Sequence, residues 1–304
     1  LLALAAKVVV ESAAALAKRL GISELVVGLT VVAAGTSAPE FGVTLVAAME
    51  GRNEISVGTI VGSNIFNLGF ALGGAAMLGS LRTNRKLVWR DNLALVGASF
   101  LLIVLVGFDL TLNHLDGWVF FTLLAGYLWL IWIQRRDESH PPPPREVSES
   151  PPVIPGRLLG RLVLGLAAVA MASHVLIRAA TLVAQDLGMS EWVIAVTIVA
   201  AGTSLPEVAT TLTGVIRKHH AVGIGNIIGS DLFNLLGVLG LAGILETMEI
   251  DPSARGSLLA LAGMTVLTLL LMRSGWRLSR TEGLVLVSIG FLRWFLDVSP
   301  GVPG

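Results

Sequence analysis

Residues 21–73 and 188–240 of this 304-residue chain align without a gap at a constant offset of 167. Thr30, Val32, Ala33, Ala34, Gly35, Thr36, Ser37, Pro39 and Glu40 recur as Thr197, Val199, Ala200, Ala201, Gly202, Thr203, Ser204, Pro206 and Glu207. Gly58, Ile60, Gly62, Ser63, Phe66, Asn67 and Leu68 recur as Gly225, Ile227, Gly229, Ser230, Phe233, Asn234 and Leu235. A shared Gly/Ala-rich composition does not put polar residues into register, so this is a duplicated unit. The chain must fold as two related halves, and whatever the polar residues do is done twice.

The duplicated unit sits in apolar surroundings. Hydrophobic residues make up 54% of the chain and charged residues 14%, too little charge to cover a soluble domain of this length. Apolar blocks of membrane-spanning length lie near 1–17, 25–49, 55–79, 92–108, 117–133, 158–184, 192–216, 221–245, 257–272 and 281–297. The first block is cut short at residue 1, so its helix is expected to lack its start. No signal-peptide n-region precedes it. With no cysteine, disulfide frameworks and thiolate metal sites are excluded. A formal charge of zero argues against a nucleic-acid partner, and no obligate protein partner is evident. The partner these blocks call for is a lipid bilayer.

The loops alternate in charge. One set holds Lys18 and Arg19; Arg82, Arg85, Lys86 and Arg90; Arg135, Arg136, Arg145 and Arg157; Arg217 and Lys218; and Arg273, Arg277 and Arg280. The other holds Asp109, Asp116, Asp186, Glu191, Glu246, Glu249 and Asp251. The positive-inside rule places the first set in the cytoplasm and both termini outside. The two copies begin five spans apart, an odd number, so they cross the membrane in opposite directions. The expected fold is all-α and polytopic: ten transmembrane helices in two inverted-topology five-helix repeats, 1–133 and 158–304. Residues 134–157, rich in Pro, Ser and Glu, form a cytoplasmic tether. The expected location is a prokaryotic cell (inner) membrane. Inverted repeats are characteristic of secondary transporters with a site at mid-membrane.

Glu40 and Glu207 fall inside apolar spans, where a carboxylate marks a functional site by default. The bland alternative is an ion pair with Lys7, Arg178 or Arg293 from a neighbouring span. On a helix Thr36 and Ser37 share a face with Glu40. Pro39 has no N–H and clashes with the carbonyl of residue 35, so carbonyls from Ala33 to Thr36 are expected to leave the helical ladder, with Gly35 easing the distortion. Such carbonyls need a partner in a bilayer, and a cation supplies one. The same reasoning covers Ala200, Gly202, Thr203, Ser204, Pro206 and Glu207. Ser63 and Asn67, like Ser230 and Asn234, lie four apart on one helix face. They offer oxygens to a cation, or hydrogen bonds between helices. Gly58, Gly62, Gly225 and Gly229 permit close helix packing. Asp231 replaces the first copy's Asn64 and is either a third acid bordering the site or a hydrogen-bonded supporting acid. His174 reads as a packed or interfacial histidine.

The candidate set is all oxygen, which suits Ca²⁺ and Na⁺ rather than Zn²⁺ or Cu²⁺. Two carboxylates neutralise one Ca²⁺. Three Na⁺ in their place would leave one positive charge, and such exchange would be electrogenic.

At these residues the chain resembles the sodium/calcium exchanger branch of the cation/calcium exchanger superfamily. The Gly-Thr-Ser-x-Pro-Glu segments at 35–40 and 202–207 look like its paired alpha repeats, as do the segments at 58–67 and 225–234. The resemblance implies Ca²⁺ transport driven by Na⁺ or H⁺ through alternating access. It implies Ca²⁺ held by Glu40, Glu207 and the carbonyls of Thr36 and Thr203. Sodium would use Ala33, Ser37 and Ser63 on one side, Ala200, Ser204 and Ser230 on the other, with Asn67 and Asn234 at the centre. It further implies that the first and sixth helices slide across the others. Some members carry Asp where Asn67 or Asn234 stands. The proton-coupled branch shows a Gly-Asn-Ala-x-Glu pattern in place of 58–62, which this chain lacks. The large cytoplasmic calcium-sensor domain of animal members is absent too.

The expected function is thus a secondary antiporter exchanging Ca²⁺ for Na⁺ without a cofactor, with a Ca²⁺/H⁺ antiporter as the alternative. An intramembrane hydrolase needs a nucleophile or a metal-held water, and its usual motifs are missing. A passive channel is the remaining alternative.

Overall fold

The computed structural model describes residues 1–106, 109–134, 155–186, 200–250, 252 and 254–298. Most of the predicted tether and the first third of the seventh predicted span, 192–199, lie outside the described residues. The described chain is almost wholly helical: α1 Leu2–Leu20, α2 Glu24–Thr36, α3 Ala38–Met49, α4 Ile55–Leu78, α5 Leu87–Val106, α6 His114–Gln134, α7 Pro155–Asp186, α8 Ala200–Thr203, α9 Leu205–Ile216, α10 His220–Leu245, α11 Ala254–Arg273 and α12 Arg280–Val298.

Local chemistry sets several ends. Gly21 closes α1 in the left-handed conformation at φ 65°, where a side chain would be strained. Ser23 starts α2 by accepting from the Val26 N–H at 3.2 Å. At α6, Asn113 accepts from the Leu115 N–H at 2.8 Å while Asp116 accepts from the Asn113 N–H at 3.0 Å. Ser279 and Glu282 make the same reciprocal box at α12, at 3.3 and 2.7 Å.

Among the described residues six helices are long and apolar enough to cross a membrane, and a seventh span is the pair α2 and α3, bent by 48°. This is fewer than the ten spans expected. Two of the three missing spans have a physical origin, since α1 carries Lys7, Glu11, Lys18 and Arg19 and α12 carries Arg280, Glu282, Arg293 and Asp297; the start of the third, 192–199, lies outside the described residues.

Two small ribbons tie the halves together. Strand β1 (Leu81–Arg82) pairs antiparallel with β4 (Arg277–Leu278), and β2 (Thr111–Leu112) pairs with β3 (Met248–Glu249). The 167-residue offset carries Leu81 to Met248, so it exchanges one ribbon for the other. Each ribbon joins two loops from the same charge set.

Close helix crossings repeat in the same way. A Cβ on Gly283 of α12 would stand 2.6 Å from the Gly73 carbonyl of α4, and one on Gly117 of α6 would stand 2.7 Å from the Gly240 carbonyl of α10. Gly225 and Gly229 of α10 lie equally close to the Leu25 and Leu29 carbonyls of α2. The stretch that the repeat places against Gly58 and Gly62 falls within 191–199, outside the described residues.

The apolar core divides in two. The larger part spans α2 to α6 and α9 to α12. The smaller joins α1 to α7 through Ala6, Val9, Ala13, Leu16, Leu158, Leu162 and Val169, and meets the rest at Val27, Val32 and Val222.

Candidate cation site

The site forms where α2 breaks into α3. The backbone leaves the helix at Ser37 (φ −76°, ψ 4°), and α3 begins at Ala38 with Pro39 in its first turn. Proline is well tolerated there because first-turn N–H groups have no helical acceptor. This corrects the expectation of a continuous helix distorted around Pro39. The Ala33 carbonyl is not released either: it accepts from the Ser37 N–H at 3.0 Å, from Thr36 Oγ1 at 3.3 Å and from Ser230 Oγ at 3.4 Å. Ser204 (φ −84°, ψ 3°) makes the matching break between α8 and α9, with Pro206 in the first turn of α9. Glu40 and Glu207 are therefore each the third residue of a twelve-residue helix. The N–H groups and positive dipole ends of α3 and α9 surround the two carboxylates.

Gly35 acts through packing rather than by easing a distortion. A Cβ there would collide with Leu166 Cδ1 of α7 and stand 3.0 Å from its Cδ2.

The two acids are crossed between the halves. Ser37 Oγ donates to Glu207 Oε1 at 3.3 Å, and Ser204 Oγ donates to Glu40 Oε1 at 3.3 Å. Thr36 Oγ1 reaches Asn226 Oδ1 at 2.9 Å and Ser230 Oγ at 3.2 Å. Sequence spacing put Ser37 and Thr36 on the face of Glu40; the break turns both hydroxyls toward the other copy.

One helical layer away lies a second crossed set. Asn67 Nδ2 donates to Asp231 Oδ1 at 3.0 Å, and Asn234 Nδ2 donates to Asn64 Oδ1 at 3.1 Å and to Ser63 Oγ at 3.4 Å. Asn64 Nδ2 donates to the Asp231 carbonyl at 3.0 Å. Both asparagines lie in π-helical turns, Asn67–Leu72 and Phe233–Val238, a local widening frequent at functional sites.

Thr36, Ser37, Glu40, Ser63, Asn67, Thr203, Ser204, Glu207, Ser230 and Asn234 are all buried, as is Ala33, while the side chain of Ala200 lies outside the described residues. Among the described residues, the site groups contribute five buried carbonyl or carboxylate oxygens with no hydrogen-bond donor, Glu40 Oε2, Glu207 Oε2, Asn67 Oδ1, Asn234 Oδ1 and Asp231 Oδ2, and Asn92 Oδ1 of α5 is a sixth. Among the described residues no three His, Asp or Glu side chains are grouped so as to hold one metal ion. A cation here would need neutral oxygens beside the carboxylates.

Comparison with known proteins fits this geometry. A family profile described as "Sodium/calcium exchanger protein" matches residues 1–133 and 157–292. The chain belongs to the sodium/calcium exchanger family. Within that family it is 35% identical over 292 residues to the Alkalimonas amylolytica protein named "Putative antiporter CaxA", covering 91% of this chain and 89% of that protein. It is 34% identical to the inner membrane protein YrbG of Escherichia coli (strain K12), covering 94% and 89%. Against the sodium/calcium exchanger MaX1 of Methanosarcina acetivorans the identity is 28%, covering 91% and 90%. The solved structure of the sodium-calcium exchanger NCX_Mj, soaked with Na⁺ and Ca²⁺, superimposes with a TM-score of 0.82 at 25% identity, covering 96% of this chain and 92% of that one. This family member is an integral membrane protein.

The ion-pair alternative finds no support in the exchanger-family chain. Lys7 lies 3.9 Å from Glu11, and Arg293 donates to Ser257 Oγ at 2.6 Å. Arg178 and His174 are exposed on α7. Asp231, left open between two readings, is buried and bonded to Asn67. Asn226 was not anticipated. It ties Thr36 to the Glu207 carbonyl (3.5 Å) and to Thr211 Oγ1 (3.4 Å). Its counterpart at the 167 offset is Thr59, so comparison of the repeats passes over it. Its position four residues before Ser230 was the available signal.

Proposed function

We propose that this chain is a secondary antiporter exchanging Ca²⁺ for Na⁺ across a membrane by alternating access. The observation that carries the proposal is the set of five donorless buried acceptors shared by Glu40, Glu207, Asn67, Asn234 and Asp231. Buried acceptors without donors are rare in proteins, and a hard cation is the partner they lack. Ca²⁺ takes six to eight oxygens. Glu40 and Glu207 offer two charged groups, and the carbonyls of Thr36 and Thr203 add neutral oxygens. Na⁺ would use Ala33, Ser37, Ser63, Ala200, Ser204 and Ser230, with Asn67 and Asn234 between the two sides. Two carboxylates balance one Ca²⁺, and three Na⁺ leave one positive charge, so the exchange is electrogenic in this reading.

The architecture proposed for this activity is ten spans in two inverted five-helix repeats, 1–133 and 158–304. Residues 134–157 and the basic loops lie in the cytoplasm and both termini outside. The membrane is a prokaryotic inner membrane, in keeping with the name of the Escherichia coli relative. The separate apolar cluster of α1 and α7 suits a unit that slides across the rest to switch access. Neither cofactor nor obligate protein partner enters the mechanism.

The test is ⁴⁵Ca²⁺ uptake into vesicles loaded with Na⁺ and diluted into Na⁺-free buffer. Uptake that requires the Na⁺ gradient, and that an inside-negative voltage alters, supports the proposal. Uptake that ignores Na⁺ and follows a pH gradient overturns the Na⁺ coupling in favour of Ca²⁺/H⁺ exchange.

A further inference from the structure

We propose that Thr44 and Ser56 form a neutral-oxygen site for Na⁺ beside Glu40, a step between the crossed acids and the turn at residues 50–52. The site rests on the exchange of Ca²⁺ for Na⁺ proposed above. Thr44 and Ser56 are fully buried, and neither Thr44 Oγ1 nor Ser56 Oγ has a hydrogen-bond partner. A helical hydroxyl commonly falls back on the carbonyl three or four residues earlier, as Thr30 does on Val26, Ser63 on Ile60 and Thr265 on Ala262. Thr44 makes no such bond. An unpaired buried hydroxyl is destabilising, so two of them in one helical hairpin call for a ligand.

The repeat places the two hydroxyls side by side. The hairpin of α3 and α4 and its counterpart of α9 and α10 turn through the same bonds at the 167-residue offset. The Arg52 N–H donates to the Ala47 carbonyl and the His219 N–H to the Gly214 carbonyl, both at 2.8 Å. The Ser56 N–H donates to the Arg52 carbonyl at 3.1 Å and the Gly223 N–H to the His219 carbonyl at 3.3 Å. Thr44 and Ser56 therefore stand where Thr211 and Gly223 stand in the second hairpin. There the layer is closed: Thr211 Oγ1 donates to the Gly223 carbonyl at 3.3 Å and accepts from Asn226 Nδ2 at 3.4 Å. Two differences in sequence open it in the first hairpin. A Cβ on Gly223 would stand 3.0 Å from the Thr211 carbonyl, too near for an easy fit, so Ser56 holds α4 farther from α3 and takes its carbonyl out of reach of Thr44. Thr59 stands in place of Asn226, and no amide reaches Thr44.

The chemistry selects Na⁺. Glu40 lies one turn before Thr44 on the same face of α3, and a helical side chain leans back over the turn before it. The Thr44 side chain is thus directed toward Glu40, whose Oε2 has no donor. One carboxylate with two hydroxyls balances one monovalent cation. Ca²⁺ takes more oxygens and calls on both acids. A Na⁺ resting here reaches Glu40 with part of its oxygen shell already supplied by the protein.

The test follows thermal unfolding of the purified full chain in detergent against NaCl, with choline chloride as control, and separately against CaCl₂ without Na⁺. Na⁺ is expected to stabilise the parent. Thr44→Val and Ser56→Ala each remove one oxygen and should raise the half-maximal Na⁺ concentration about fivefold, while the half-maximal Ca²⁺ concentration moves less than about twofold. Thr44→Ser keeps the hydroxyl and should keep the Na⁺ response. Ser56→Gly should close the layer as in the second hairpin, raising the midpoint without salt and weakening the Na⁺ response. An unchanged Na⁺ response in Thr44→Val and Ser56→Ala is the result for a site that holds only water, and it overturns the proposal while leaving the exchange reading intact. Equal losses for Na⁺ and Ca²⁺ mark a structural role and overturn it too. A parent that Ca²⁺ stabilises and Na⁺ does not takes down the Na⁺ coupling together with this site. Should Thr44→Val fail to fold, Ser56→Ala decides alone.

Discussion

Asn64 and Asp231 occupy equivalent positions 167 residues apart, and Asn64 Nδ2 donates to the Asp231 carbonyl at 3.0 Å. The return bond is missing. An asparagine at 231 would offer its amide to the Asn64 carbonyl, whereas Asp231 presents Oδ2, which has no donor. The two-fold pattern of the central layer is broken at this atom.

Asp231→Asn should therefore restore the pattern. The substituted amide keeps the acceptor for Asn67 and supplies a donor toward residue 64. A donorless buried acceptor costs about 1–3 kcal/mol, so the variant is expected to unfold at a higher temperature, with about 1 kcal/mol gained. It also removes an acid beside the site, and the apparent Ca²⁺ affinity should fall. Lower thermal stability with unchanged Ca²⁺ affinity would show that Asp231 serves packing rather than the cation.

The crossed pairs Ser37–Glu207 and Ser204–Glu40 predict matched losses. Glu40→Gln and Glu207→Gln each remove one charge from the same buried site. Losing a charged partner there costs about 3 kcal/mol, or about a hundredfold in exchange. Both variants should remain monodisperse on gel filtration. Ser37→Ala and Ser204→Ala remove one hydrogen bond each, about 1 kcal/mol, and should cost about fivefold. Folded glutamine variants with undiminished ⁴⁵Ca²⁺ exchange would rule out the acids as ligands.

Those pairs also mark the limit of what the sequence discloses. Glu40, Glu207, Asn67 and Asn234 stand out because duplication keeps them in register inside apolar runs. Helix positions follow from the same runs: the block near 117–133 is the helix His114–Gln134, and that near 221–245 is His220–Leu245. What spacing on one helix cannot disclose is a contact between copies. Ser37 reads as a neighbour of Glu40, yet its hydroxyl crosses to Glu207. Pro39 reads as a kink because a proline inside an apolar run resembles one in the first turn of a new helix. Asn226 escapes because duplication did not preserve it.

Asn226 bridges three elements of the site, so its loss should be felt in Thr36. Asn226→Ala leaves Thr36 with only the Ala33 carbonyl and Ser230, and Thr211 with only the Gly223 carbonyl, and should cost about 1 kcal/mol. The Ca²⁺ affinity should fall further than that of Ser37→Ala, because Thr36 loses its 2.9 Å partner. An affinity equal to the parent's would reduce Asn226 to a packing residue.

Gly35 and Leu166 should be coupled energetically. A methyl at 35 meets the Leu166 side chain, and overpacking of this kind costs about 1–3 kcal/mol. Gly35→Ala should lower the unfolding midpoint and slow exchange, because Leu166 belongs to the α1–α7 unit proposed to slide. Leu166→Ala in the same chain should recover most of both. Additive losses in the double variant would deny the contact.

The ribbons make the sidedness of the whole molecule testable at two positions. Glu249 of β3 and Arg277 of β4 are both exposed, and they stand in loops from opposite charge sets. The chain contains no cysteine, so a single introduced thiol reports one place. In intact cells a membrane-impermeant maleimide should label Glu249→Cys and spare Arg277→Cys until the membrane is opened. The paired strands extend the result: β2 follows β3, and β1 follows β4. Labelling of both thiols in intact cells would place the two ribbons on one side, and the inverted arrangement of the repeats could not then stand. The reverse labelling would keep the inversion and turn the molecule over.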